Sequence, residues 1–242
     1  MKWNKLYKYP PSTRSTTDGL RTYDVGNEKL PSVTTILQAT QSPEKLEFFK
    51  RWRAQKGEEE ADRIKNEAAS RGTSLHKHLE KYILGEGYAD LTEEGKLAKA
   101  MSDVIIEQGL KDLSEVWGSE VTLHYPGLYA GQTDLVGTYD YEDSIIDFKQ
   151  SNRPKRREWI EDYFFQVAAY SLAHNEVYNS NITQGVILVC TPPTGSASDS
   201  LETKLENIVF QEFKIDDNEL FDYQVKFKKK AKSYMSMISN EI

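Results

Sequence analysis

The hydrophobic pattern of this 242-residue chain changes its period near residue 110. Before that point, apolar side chains recur at helical spacing, as Leu75, Leu79 and Ile83 do. After it, apolar and polar residues alternate, which is typical of strands with one buried face. This change of period therefore predicts helices followed by a sheet, and such an order of elements limits the fold to the mixed α/β classes.

The order of the periodic segments predicts the elements α, βββ, α, β, β, α. Residues 1–19 are rich in turn formers, residues 21–25 form a short strand, and Ser32 and Ser42 can cap two helices. Further helices are predicted up to Gly85 and at residues 93–108, 159–175 and 217–238, and strands at residues 120–124, 133–139, 144–149, 185–190 and 208–215. We expect one domain, in which a strand, turn and helical region at residues 1–115 precedes the main sheet and its flanking helices at residues 116–242.

Composition and charge limit the binding partners and the cellular location that can be expected for the protein. A net charge of −7 argues against a chain coated with nucleic acid but is compatible with a local basic groove. The longest aliphatic run, residues 186–189, is far shorter than the roughly 20 residues that cross a bilayer. The first residues lead into no apolar secretory core and no clear mitochondrial transit peptide. We therefore expect a cytoplasmic protein, of a bacterium or a phage-infected cell, that does not enter a membrane.

The chain has a single cysteine, Cys190, inside the apolar residues 186–190. A small buried side chain is expected there rather than a reactive thiol. One cysteine also excludes an intramolecular disulfide and a cysteine-ligated iron–sulfur cluster within a monomer.

Two acidic residues and a lysine are predicted to converge on the sheet. Asp147 and Lys149 lie near the end of one strand and share a face, about 6–7 Å apart along the backbone. A hairpin turn at residues 140–143 places Asp134 opposite a residue between 147 and 151. Neighbouring carboxylates do not both stay ionised unaided, and hard oxygen ligands suit Mg²⁺ or Mn²⁺. The pattern therefore predicts a divalent metal site.

An acid-x-Lys triplet is not specific by itself. Four occur, at residues 94–96, 147–149, 202–204 and 212–214, which is about what composition gives by chance. Only the triplet at 147–149 has Gly-x-x-Asp upstream, at 131–134, and Gln166 with Tyr170 downstream. We interpret it as the site, and residues 212–214 as the solvated face of an edge strand.

The joint pattern resembles the RecB-like branch of the PD-(D/E)xK nuclease superfamily. It comprises His76 on a helix, Gly-x-x-Asp at 131–134, Asp-x-Lys at 147–149 and Gln-x-x-x-Tyr at 166–170. A more detailed similarity, to the mitochondrial genome maintenance exonucleases and their phage and bacterial relatives, extends over about residues 23–190. It rests on Leu-Pro-Ser-Val-Thr at 30–34, Phe-x-Arg-Trp at 49–52, the spacing of Gly72 and His76, and Ile-Asp-Phe-Lys at 146–149 followed by Pro154 and Lys155.

This resemblance implies a restriction-endonuclease-like α/β core, in which helices flank a central mixed sheet. It also implies a Mg²⁺- or Mn²⁺-dependent deoxyribonuclease. The expected activity is that of an exonuclease that prefers single-stranded DNA ends, in DNA replication, repair, recombination or nucleotide recycling. Two alternatives remain open, namely a structure-specific or restriction-like endonuclease and a non-catalytic DNA-binding subunit.

The resemblance assigns the catalytic roles to Asp134, Asp147 and Lys149, with Lys149 orienting or deprotonating the attacking water. The implied metal ligands are His76, Asp134, Asp147 and the backbone carbonyl of Phe148. Glu120 opens a strand and is either a further metal-side acid or a strand-edge charge. Glu80, one turn after His76, is a candidate partner for its ring, and His78 is expected at the surface.

Two groups of residues are predicted to contact DNA. Gln166 and Tyr170 share one face of a helix and can bind a base or the backbone. Arg153, Lys155, Arg156 and Arg157 follow Lys149 without an intervening acid and form a candidate phosphate track. The lysines within residues 226–232 are a weaker candidate, as the wet side of the last helix.

Overall fold

The computed structural model describes residues 1–192 and 207–239 and contains a six-stranded mixed sheet and a separate three-stranded sheet. The strands are β1 (Lys2–Trp3), β2 (Ser12–Thr17), β3 (Leu20–Val25), β4 (Glu28–Pro31), β5 (Leu113–Tyr125), β6 (Tyr129–Tyr139), β7 (Glu142–Gln150), β8 (Gln184–Thr191) and β9 (Val209–Ile215). The helices are α1 (Val33–Ala39), α2 (Pro43–Lys56), α3 (Glu58–Leu84), α4 (Glu93–Val104), α5 (Glu161–Tyr178) and α6 (Asp217–Ser239).

The central sheet has the strand order β1-β5-β6-β7-β8-β9. Strands β5, β6 and β7 form an antiparallel meander, β8 pairs parallel to β7, and β9 pairs antiparallel to β8. Helix α5 makes the crossover that a parallel β7–β8 pair requires. The expected fold class is therefore confirmed, because helices flank a central mixed sheet.

The sheet is buried on both faces, and alternation along β7 assigns each residue to one of them. Ile145 joins the core that α1, α5 and α6 cover, whereas Ile146 and Phe148 join the core under α3 and α4. Burial on both faces accounts for the continuous apolar run of β8 at residues 186–190. Cys190 is buried in the second of these cores, as expected.

The helix boundaries follow from local chemistry. The Ser32 and Ser42 hydroxyls accept hydrogen bonds from the N–H groups of Thr35 and Lys45 and cap α1 and α2. Helix α3 ends at Gly85, whose left-handed φ of 72° is easily adopted by glycine. None of the helices among the described residues is long and apolar enough to span a bilayer.

Three expectations were wrong. Glu120, expected to open a strand, lies inside β5, which begins at Leu113. Residues 12–17, placed in a turn-rich segment, form β2, which pairs antiparallel with β3 from Ser12 opposite Val25 to Thr17 opposite Leu20. His78, expected at the surface, is only 7% exposed because its ring packs against Tyr88 of the segment that follows α3. The triplet at residues 202–204 lies outside the described residues.

Candidate active site

The β6–β7 hairpin brings the two central carboxylates together. Leu135 lies opposite Ile146, so Asp134 and Asp147 are the next pair along the two strands. This register agrees with the predicted hairpin. The backbone N–H of Phe148 donates a 2.7 Å hydrogen bond to Oδ2 of Asp134, while the Phe148 side chain is buried in the core.

Lys149 lies on the same face as Asp147 and forms an ion pair with its carboxylate. The Lys149 ammonium also lies 5.3 Å from the centre of the Tyr163 ring on α5. Asp147 is 3% exposed, so the pair is withdrawn from solvent and its interaction is weakly screened.

Helix α3 places His76 against the hairpin. Its Nδ1 lies 3.3 Å from Oδ1 of Asp134 and 3.9 Å from Oε1 of Glu120. Glu80, the candidate partner of the ring, instead pairs with Lys77 at 2.7 Å. The helical spacing of His76 and Glu80 was correct, but the sheet supplies closer acids than the helix does.

Glu120 enters the site through an unusual backbone conformation. It has a φ of 53° and lies across from Asp134, between the pairs Ser119–Leu135 and Val121–Thr133. A residue with a side chain pays about 1–2 kcal/mol for this left-handed conformation. Gln132 offsets this conformational cost with two hydrogen bonds. Its Nε2 donates to Oε2 of Glu120 at 2.8 Å and to the Glu120 backbone carbonyl at 3.1 Å.

The site contains more carboxyl groups than cationic side chains. Burial raises the pKa of Glu120, and burial raises the pKa of Asp147 to about 6 although Lys149 opposes the shift. Burial lowers the pKa of His76, but the Asp134 carboxylate outweighs it and brings that pKa to about 10. The pKa of Lys149 is likewise lowered by burial and raised more strongly by Asp147. Three carboxyls thus face two cationic groups, and a further positive charge would be stabilised there.

The donor groups fit a divalent cation. One ligand atom each from His76, Glu120 and Asp134 lies within 4.8 Å of the other two. Carboxylate oxygens with one imidazole nitrogen suit Mg²⁺ and Mn²⁺. Asp147 borders this cluster beside Asp134 but turns Oδ2 towards Lys149.

These residues open into one cleft of about 790 Å³. Gln166 and Tyr170 also line the cleft, which agrees with their shared face on α5. Tyr170 packs directly over Gly131, where an added Cβ would lie 2.8 Å from its ring. The Gly-x-x-Asp pattern therefore has a steric reason, since a larger residue at 131 would displace Tyr170.

The predicted phosphate track does not enter the cleft. The four described side chains Arg153, Lys155, Arg156 and Arg157 are outside the set that lines it. Gln211 on β9 binds both the N–H and the carbonyl of Lys155, and Arg157 pairs with Glu219 on α6 at 2.5 Å. The segment therefore runs along β9 and α6, and its role in binding DNA stays a prediction.

Sequence reasoning missed several residues of the cleft, and three of them bear on its chemistry. Arg14 and Arg21 reach it from the three-stranded sheet, and Gln132 holds Glu120. Gln132 stands inside the Gly-x-x-Asp pattern, so its position was available from the sequence. Arg14 carried no such signal because β2 was not predicted, and Arg21 lay in the predicted strand at 21–25 without any pattern that linked it to the carboxylates.

Comparison with curated proteins identifies mitochondrial genome maintenance exonuclease 1 as a relative. The Xenopus tropicalis protein is 31% identical over 176 residues, which cover 68% of this chain and 49% of that protein. The Mus musculus and Homo sapiens proteins are 29% and 27% identical over 170 residues, covering 66% of this chain in both cases. The resemblance that the motifs indicated is therefore confirmed, and the chain spans about half the length of these relatives.

No protein-family model matches the chain. Similar solved structures include a candidate exonuclease from Eubacterium rectale, with a TM-score of 0.48 and 13% identity over 71% of this chain and 69% of the other. A phage-related exonuclease from Haemophilus somnus 129PT has a TM-score of 0.37 and 19% identity, over 70% of this chain and 83% of the other.

Proposed function

We propose that this protein is a Mg²⁺- or Mn²⁺-dependent deoxyribonuclease that hydrolyses phosphodiester bonds from the ends of single-stranded DNA. The observation that carries the proposal is the clustering of His76, Glu120 and Asp134 beside the Asp147–Lys149 ion pair in one cleft. Similarity to mitochondrial genome maintenance exonuclease 1 over about two thirds of this chain supports an exonuclease activity.

The proposed metal-binding groups are the side chains of His76, Glu120, Asp134 and Asp147 and the backbone carbonyl of Phe148. When bound, the cation would supply Lewis-acid polarisation of the scissile phosphate and lower the cost of charge on the leaving oxygen. In the reaction, a water oxygen forms the new bond to phosphorus while the bond to the leaving oxygen breaks. The leaving oxygen takes up a proton, and a covalent enzyme intermediate is not required.

Lys149 is proposed to act on the phosphate and on the attacking water. Its ammonium has three hydrogen-bond donors and is held at the cleft by Asp147. Charge placed in advance where the transition state becomes negative is an effective means of catalysis. We therefore propose that Lys149 orients the water and offsets the phosphate charge.

A groove next to the cleft supports a single-stranded substrate. It has a volume of about 600 Å³, lies between α1, α2, α3 and α5, and shares Gln166 with the cleft. Phe49, Trp52 and Lys65 are among the residues that line it. Aromatic faces can stack on unpaired bases and cations can follow a phosphate backbone, whereas a duplex keeps its bases stacked inside.

An end-labelled linear strand and a closed circular strand of the same sequence test the proposal. With Mg²⁺ or Mn²⁺, we expect shortening of the linear strand and no cleavage of the circle, because an exonuclease needs an end. Cleavage of the circle would favour the endonuclease alternative. Binding of both strands without cleavage of either, under every metal condition, would favour a non-catalytic DNA-binding subunit.

A further inference from the structure

The three-stranded sheet forms one side of the cleft. Tyr23, Val25 and Leu30 form a small apolar cluster with Ala130 of β6, which holds this sheet against the central one. The Ser12 hydroxyl is also 2.6 Å from the hydroxyl of Thr122 on β5. The side chains on this face of the small sheet are therefore fixed relative to the carboxylates on β5, β6 and β7.

Two arginines extend from that same face. Arg14 lies directly opposite Tyr23 in the β2–β3 pair, and Arg21 precedes Tyr23 by two residues on β3. Opposite residues, and residues two apart on one strand, point to the same side of a sheet. Arg14 and Arg21 are therefore diagonal neighbours, with Cα atoms about 7–8 Å apart, and both line the cleft.

Among the described residues, neither arginine forms an ion pair with a carboxylate, although the cleft contains four carboxylates. Those acids already contact other cations, since Lys77 pairs with Glu80 and Lys149 pairs with Asp147. Arg21 is also close enough to Tyr170 to affect its ionisation. Burial raises the pKa of the Tyr170 phenol, and the positive charge of Arg21 opposes part of that rise. The arginines are thus close to the site without being neutralised by its acids.

We propose that Arg14 and Arg21, here called the basic wall, form a second phosphate subsite that binds a backbone phosphate flanking the one that is cleaved. A guanidinium can present two parallel N–H donors to phosphate oxygens, so a pair of them suits a phosphodiester. Contacts to phosphate position a strand without reading its bases. This inference rests on the proposed nuclease function and adds the residues that hold the substrate in register with the carboxylates.

The test compares Arg14→Gln, Arg21→Gln and the double variant with Arg63→Gln. Arg63 is an exposed arginine that pairs with Glu60 and Glu67 on α3, so its replacement makes the same charge change away from the cleft. Binding of fluorescein-labelled oligodeoxythymidylate is measured in Ca²⁺ over a range of salt concentrations, and KM and kcat are measured in Mg²⁺. Thermal unfolding of each variant shows whether it remains folded.

We expect the double variant to bind the strand about tenfold more weakly at low salt, with KM raised similarly and kcat within about twofold of wild type. The salt dependence of log affinity should become shallower by about 0.7 for each arginine removed. Arg14→Lys and Arg21→Lys should recover most of this slope because they restore the charge. Arg63→Gln should behave as the wild type does.

Three results separate the two proposals. Unchanged affinity and salt slope in the folded double variant would overturn the second subsite, even if the wild type cleaves DNA. A fall in kcat with unchanged affinity would also overturn it, by linking the arginines to the cleaved phosphate. A wild type that binds through Arg14 and Arg21 but never cleaves would overturn the nuclease proposal and support the subsite.

Discussion

The two sides of the cleft carry opposite charges and are built in different ways. The acidic wall, Glu120, Asp134 and Asp147, stands on the central sheet, and its carboxylates contact His76 and Lys149. The basic wall stands on the small sheet, and among the described residues it has no carboxylate partner. Buried and partly compensated charges suit a small cation that stays in place. Accessible and uncompensated charges suit a polyanion that must arrive and leave.

Removal of divalent cations is expected to have the largest effect, because the acidic wall would then repel the phosphate that the basic wall attracts. Excess chelator should abolish cleavage of an end-labelled strand, and added Mg²⁺ or Mn²⁺ should restore it. Ca²⁺ should support binding without turnover, since it accepts the same oxygen ligands at longer distances and in looser geometry. Undiminished cleavage in chelator would contradict a metal-dependent site.

Substitutions in the acidic wall, and of the Lys149 that pairs with it, should have the second largest effect on cleavage. Asp147→Asn and Lys149→Ala should each lower kcat by at least about 100-fold, because each removes charge aimed at the reacting phosphate. Strand binding should remain nearly intact. Asp103→Asn and Lys96→Ala, two exposed positions on α4, are the matched controls and should retain full activity. Turnover by Asp147→Asn or Lys149→Ala within tenfold of wild type would remove this site from consideration.

Loss of the hydrogen bonds from Gln132 to Glu120 should have a smaller effect on activity. Gln132→Leu removes both hydrogen bonds that hold Glu120 in its left-handed conformation. We expect the Mn²⁺ concentration for half-maximal activity to rise about tenfold, which is the effect typical of a lost partner of a metal ligand. Gln108→Leu, at an exposed position, controls for the added apolar side chain. An unchanged Mn²⁺ response would show that Glu120 does not bind the metal.

The smallest effect is expected from the basic segment that follows β7. Combined replacement of Arg153, Lys155 and Arg156 by Gln should flatten the salt slope by less than about 0.7 per residue, because these side chains lie outside the cleft. Addition of Arg157→Gln should change binding little, since Arg157 already pairs with Glu219. A larger effect here than in the Arg14/Arg21 double variant would reverse the comparison and assign the main phosphate contacts to this segment.

Sequence analysis predicted the centre of the site because that centre is local. Asp134 and Asp147 meet through one short hairpin, and Lys149 shares a face with Asp147 through the two-residue period of a strand. Helix ends were predictable for the same reason, since the caps at Ser32 and Ser42 bond only to the next turn. Register and face are set by residues that are close in the chain.

Periodicity assigns a residue to a face but does not say which element will cover that face. The packing of α3 in the folded chain places His76 against Asp134 rather than Glu80 and buries His78 against Tyr88. The left-handed backbone conformation of Glu120, which completes the acidic wall, was likewise not evident before folding.

The basic wall depends most on long-range packing. Arg14 and Arg21 reach the cleft because Tyr23 packs against Ala130, more than 100 residues away in the chain. Sequence alone was enough to predict the hairpin, the caps and the triplet at 147–149, because their contacts are between near neighbours. Contacts between distant segments are selected by the packing of the whole chain, and for that reason only the tertiary structure identified the surface opposite the carboxylates.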